Sequence, residues 1–186
     1  MRLSRERYTA VMGRAERLVS GAEMERILDR LAESITAVLA ERDPVVLCVM
    51  NGAIIAAGRL LPRLGFPLTL DYIHATRYRE TTSGGDLQWL HRPAAAVHDR
   101  HVLVVDDILD VGITLDAVVG ACWEDGATDV HTVVLVEKAR EHTNDFKADF
   151  VGIELPDRYL FGYGLDYRGY FRNADGIYAV ADEDVR

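Results

Sequence analysis

Apolar residues recur at Met24, Ile27, Leu28, Leu31, Ile35, Val38 and Leu39, a spacing that keeps them on one helical face. Ser20 and Glu23 stand just before them as a capping box, so an amphipathic helix is predicted over 20–41. After Pro44 the pattern changes to the unbroken apolar run Val45 to Met50, which suits a short strand buried on both faces. A second helix is predicted from near Gly52 through Ile54, Ile55, Leu60 and Leu61, ending near Leu64 with Gly65 as a left-handed cap. Further strands are expected at Leu68 to His74, His101 to Val105 and Val130 to Val136, with a helix from about Gly112 to Asp125 closed by Gly126. Strands and helices thus alternate at crossover spacing, which predicts an α/β fold with a mostly parallel twisted sheet flanked by helices.

Two stretches break this rhythm. Residues 75–86 are polar, contain glycine and are long for a simple connection, so they read either as a lid or as a surface hairpin. From Asp149 onward the chain is rich in tyrosine, and a small irregular hood is expected over 149–186, with one late strand at Ile177 to Val180. No linker or repeat divides the chain, so a single domain spanning 1–186 is expected.

Composition narrows the function classes. The 186 residues are 49% hydrophobic and 27% charged, a balance that suits one folded core rather than disorder. Such a length buries roughly 70% of the surface of the unfolded chain and needs no disulfide framework. Cys48 and Cys122 lie in separate apolar stretches with no CxxC, which favours a reducing, cytoplasmic setting. The charged N-terminal residues lack the apolar core of a signal peptide, and no uncharged stretch reaches the ~20 residues of a membrane span. A formal charge of -9 argues against nucleic acid as the main ligand, because backbone binding rests on clustered Lys and Arg. Small phosphorylated ligands stay open, since backbone amides and metal ions hold them without altering net charge.

The decisive stretch runs from Val102 through Asp106, Asp107 and Asp110 to Gly112 and Thr114. Four apolar residues lead to two carboxylates, and then a Gly and a Thr open a helix. In an open α/β sheet this is the carboxyl end of a strand, where a helix N-terminus offers amide N–H groups to an anion. Gly112 allows close approach of the backbone, and the Thr114 hydroxyl adds a donor. A phosphosugar site fits, with the acids on sugar hydroxyls or on Mg2+. The same acids also suit a capped and solvated turn, and acidic strand ends occur in nucleotide hydrolases and receiver domains. Absence of GxxxxGK[ST] and of GxGxxG weakens a P-loop nucleotidase and a dinucleotide-binding dehydrogenase. The six histidines form no zinc pattern, and neither GxSxG nor a paired-base cysteine supports covalent catalysis.

The strand, acidic pair and phosphate turn resemble the fingerprint of the type I phosphoribosyltransferases. The segment from Asp149 to Arg172 is similar to the hood of hypoxanthine-guanine phosphoribosyltransferases in particular. The resemblance implies transfer of the phosphoribosyl group from 5-phosphoribosyl pyrophosphate (PRPP) to hypoxanthine or guanine, giving IMP or GMP and pyrophosphate, with Mg2+ as cofactor. It places Asp106 and Asp107 on the ribose and its metal. Asp110, Val111, Gly112, Ile113 and Thr114 bind the 5-phosphate, and Asp110 also serves as general base toward purine N7. Asn51, Gly52 and Arg172 face pyrophosphate, Asn51 standing where Lys is common. Lys138, Tyr159, Leu160 and Asp166 take the purine, Asp166 also as a second metal contact, with Arg158 beside them. Arg77 and Tyr78 belong to a mobile loop over 76–89. A homodimer or homotetramer is implied. The rival from another class is a regulator of the same fold that senses PRPP or nucleotides or binds RNA, and it calls for a basic face or added DNA-binding domain.

Overall fold

The computed structural model describes residues 2–77, 87–140 and 146–185. Its frame is a six-stranded sheet in the order β4-β3-β2-β5-β6-β7. These strands are β2 (Val45–Val49), β3 (Thr69–Arg77), β4 (Leu87–His91), β5 (His101–Leu109), β6 (Asp129–Ala139) and β7 (Phe150–Pro156). All neighbours are parallel except β3 and β4, which pair antiparallel. The apolar runs explain the centre: every residue of β2 is buried, as are Val102 to Val105 in β5. From this centre the chain winds outward twice. After β2, α3 (Ile54–Leu60) leads to β3 on one side, and after β5, α5 (Ile113–Glu124) leads to β6 on the other. The strand order therefore reverses between β2 and β5, which opens a crevice at their carboxyl ends.

The capped helix is α2 (Gly21–Leu39), and both arms of the Ser20–Glu23 capping box form. Its apolar face, including Met24, Leu28 and Ile35, packs on β7 and α3. Two elements precede it that the sequence reading did not anticipate: α1 (Arg5–Arg14), capped by Ser4, and β1 (Glu16–Ser20). β1 pairs antiparallel with β9 (Gly176–Ala179), and β9 pairs with β8 (Leu160–Phe161), forming a second, three-stranded sheet. This is the hood. It has its own core of Val11, Phe161, Tyr167, Phe171 and Val180, with Tyr8 of α1 stacked on Phe171 at 4.2 Å.

Several boundaries differ from expectation. The hood was expected from Asp149, but Phe150–Pro156 is the edge strand of the main sheet, so the hood proper follows Pro156. The second helix stops at Leu60 and passes into a 3-10 turn, Leu61–Arg63, because Pro62 supplies no backbone N–H for an α-helical bond. Gly65 is not left-handed, and Leu64 ends the turn in extended conformation. Gly126, at φ 84, does close α5 as expected. β5 runs on past Val105 to Leu109, which puts the acidic pair on the strand itself. β6 likewise reaches Ala139, so Lys138 lies within the strand rather than after it.

Candidate active site

The crevice between β2 and β5 is a cavity of about 450 Å³. Along one wall lie Asn51 and Gly52 from the turn after β2, and along the other Asp106, Asp107, Asp110, Val111, Gly112 and Thr114. Lys138 from β6 and Tyr159, Leu160, Asp166 and Arg172 from the hood complete it. The chain thus brings together, from four separate segments, nearly all the residues singled out in the sequence. Ile113 is the exception on the phosphate turn: as the first residue of α5 it is exposed and does not line the cavity. Arg158 also lies off the lining and is ion-paired to Glu16 of β1. Arg77 ends β3, and Tyr78 lies outside the described residues, as does most of the expected 76–89 loop. On either side of the undescribed residues, β3 and β4 pair antiparallel.

Local geometry follows from two glycines. Gly112 adopts φ 82 as the N-cap of α5, a left-handed conformation that turns the chain from β5 into the helix. It has no side chain with which to cap the first helical amides, which face the cavity end of the helix dipole. Gly52 is required for a different reason: a Cβ there would stand 2.3 Å from Asp107 Oδ2. The peptide bond before it, Met50 to Asn51, is cis.

Asp106 and Asp107 are both buried. The Asp107 backbone N–H donates to Asp106 Oδ1 at 2.9 Å. Burial raises the pKa of both carboxyls, and the neighbouring Asp107 charge raises that of Asp106 further. The cation nearest Asp107 is Arg172, at 3.8 Å. Arg172 is committed elsewhere, donating to the Gly164 carbonyl at 2.6 Å and to Asp166 at 2.5 Å. Two buried oxygen donors short of positive charge are the chemistry that a hard divalent ion such as Mg2+ satisfies. Asp166 lines the same cavity from the hood, and among the described residues no three His, Cys, Asp or Glu converge on a single point. Asp106 and Asp107 thus form an acidic pair on β5, and Asp166, expected as a second metal contact, is held by Arg172 on the hood side of the cavity.

At the far end of the cavity, Lys138 Nζ lies 3.4 Å from Asp110 and 3.3 Å from Asp157. Arg140 reaches the same two carboxylates, at 3.0 Å and 3.4 Å. Neither Arg140 nor Asp157 was singled out in the sequence. Lys138 is the penultimate residue of β6 and Arg140 the first beyond it, so strand alternation offered no signal for the pair. Tyr159 is tilted over Tyr167 with ring centres 5.5 Å apart, and its hydroxyl accepts from the Arg168 backbone N–H at 3.2 Å. Both cysteines are buried, and burial pushes each thiol up to about 11, far from a nucleophile's range.

The family model described as "Phosphoribosyl transferase domain" matches residues 14–168. The chain belongs to the phosphoribosyltransferase family. Among curated relatives of this phosphoribosyltransferase, it is 31% identical to the hypoxanthine-guanine phosphoribosyltransferase of Bacillus subtilis, over 84% of this chain and 87% of that one. It is 30% identical to the hypoxanthine-guanine-xanthine phosphoribosyltransferase of Tritrichomonas foetus, over 89% and 91%. Among solved structures, a hypoxanthine phosphoribosyltransferase from Staphylococcus aureus shares the fold with a TM-score of 0.87 at 24% identity, covering 94% of this chain and 96% of that one. A hypoxanthine-guanine phosphoribosyltransferase from Bacillus anthracis superposes with a TM-score of 0.84 at 26% identity, covering 89% and 98%. Membership makes this chain an enzyme of pentosyl transfer, on the mostly parallel α/β sheet expected of it.

Proposed function

We propose that this phosphoribosyltransferase moves the 5-phosphoribosyl group of PRPP onto hypoxanthine or guanine in purine salvage, forming IMP or GMP and releasing pyrophosphate. One observation supports this above the rest: at the strand-order reversal, a left-handed Gly112 cradle, a buried acid pair and Lys138 line one cavity. The 5-phosphate fits the amides and hydroxyl of Asp110 to Thr114 at the N-terminus of α5. Asp106 and Asp107 hold the ribose hydroxyls and would hold Mg2+, which supplies charge neutralisation for the departing pyrophosphate. Backbone at Asn51 and Gly52 and the guanidinium of Arg172 face that leaving group.

The purine lies between Tyr159 and the cavity wall, with Lys138 donating to O6 and the Leu160 carbonyl accepting from N1–H. Adenine reverses both polarities and is rejected. As N9 bonds to ribose carbon 1 and the bond to pyrophosphate breaks, the proton on N7 passes to the Asp110 carboxylate. That transfer is worth about 100-fold or more. The same reading carries closure of the 76–89 loop to exclude water, a cytoplasmic location, and a homodimer or homotetramer that a sizing column tests. Among the described residues no helix is long and apolar enough to cross a membrane.

Incubating the purified protein with Mg2+, PRPP and each purine base is expected to yield IMP from hypoxanthine and GMP from guanine. No nucleotide from any base would transfer the fold to the regulator class. Within the enzyme, Asp110→Asn is expected to lower kcat about 100-fold while PRPP affinity stays within a few fold.

A further inference from the structure

Four charged side chains meet where three neighbouring parallel strands end. Asp110 follows β5, Lys138 lies one residue before the end of β6 with Arg140 just past it, and Asp157 follows β7. Lys138 and Arg140 are two residues apart at the end of β6, where the Arg140 backbone N–H donates to the Lys138 carbonyl at 2.8 Å. Each touches both carboxylates: Lys138 Nζ at 3.4 Å from Asp110 Oδ1 and 3.3 Å from Asp157 Oδ1, and the Arg140 guanidinium at 3.0 Å from Asp110 Oδ1 and 3.4 Å from Asp157 Oδ2. The result is a closed square of alternating charge.

The two cations are not equivalent. The Lys138 side chain is only 12% exposed and lines the cavity. Arg140 stands outside the lining, at 36% exposure, and grips the square from the solvent side. A 6-oxopurine that draws the Lys138 ammonium to its oxygen removes one of the two cations from Asp110 just when that carboxylate must accept a proton. We infer that Arg140 is the positioning residue that keeps the Asp110 carboxylate in place and aimed during this exchange, with Asp157 anchoring the guanidinium. The inference rests on the roles of Asp110 and Lys138 given above. Arg140 suits the task because its planar guanidinium reaches two carboxylates at once, while Lys138 offers a mobile point charge.

The test compares Arg140→Gln, Arg140→Lys and Asp110→Asn with the parent enzyme, measuring kcat and KM for hypoxanthine separately. Arg140→Gln is expected to lower kcat about tenfold. Its KM should stay within about twofold, because Arg140 does not touch the purine. Arg140→Lys should restore most of the loss. In the Asp110→Asn background, Arg140→Gln should cost nothing further, because both act through one carboxylate. An unchanged or raised kcat in Arg140→Gln, a loss that appears in KM rather than kcat, failure of Arg140→Lys to restore turnover, or additive losses in the double variant would overturn the inference. Full turnover in Asp110→Asn alone would remove the base itself, and the positioning role with it.

Discussion

Two regions of this phosphoribosyltransferase treat negative charge in opposite ways. In the crevice, Asp106 and Asp107 are buried side by side with Arg172 no nearer than 3.8 Å, and their pKa values rise. At the seam between α2 and the hood, Glu25 accepts from the Tyr163 hydroxyl at 2.5 Å and is ion-paired to Arg59 and Arg63. Its carboxyl is pulled from an ordinary 4.5 down to about 2, first by the Tyr163 hydrogen bond. At the hood's other seam, Asp184 is held by Arg14 at 2.7 Å and its pKa falls. A carboxylate that fastens one part of the molecule to another is matched within the protein. Carboxylates that are left unmatched in the interior mark where a ligand must bring the missing charge.

The contrast breaks first, and most, at Asp106. Asp106→Asn removes a like charge from a buried pair, so activity should fall about 100-fold. The ligand-free protein should meanwhile gain about 1 kcal/mol of stability. Urea melts alongside the nucleotide-forming assay check both, and a variant that loses stability as well would place Asp106 among the fastening acids. The seam predicts the reverse. Tyr163→Phe should cost about 1 kcal/mol near neutral pH, discounted for the partial exposure of Glu25, and leave kcat nearly intact.

The acid dependence of that loss has a definite sign. Glu25 has a depressed folded pKa, so its contribution is complete above about 4.5 and disappears as pH falls through about 2. The stability gap between Tyr163→Phe and the parent should therefore shrink across that interval, as read by melts at successive pH values. The smallest effect is expected at Asp184→Asn, where Arg14 keeps Glu183 at 2.6 Å as a second partner. Its melting temperature should drop by only about 2 °C.

How much of this was legible in the sequence follows the range of each interaction. β2 and the first half of β5 read plainly because central parallel strands are apolar on both faces. The capping box of α2 is local and read equally well. Helix α1 carries the same kind of signal, Ser4 followed by Tyr8, Val11 and Met12 at helical spacing, but its many charged residues leave the apolar face narrow. β1 was not legible, since Glu16–Ser20 becomes a strand only by pairing with β9 at the other end of the chain. The crevice residues were recognisable through the local run from Asp106 to Thr114. The Arg140–Asp157 pair was not, because the contact exists only once β6 and β7 lie in register, with Ala139 opposite Pro156.

The hood draws its strands from both ends of the chain, and this orders the birth of the molecule. A nascent polypeptide that has just released Pro156 already holds all six strands of the main sheet and the glycine cradle after β5. It still lacks β8 and β9, so β1 waits without a neighbour and Tyr8 without Phe171. Such a ribosome-bound precursor owns its anion cradle before it owns a place for the heterocycle, and the aromatic ledge forms only when synthesis has carried the ribbon past Ala179.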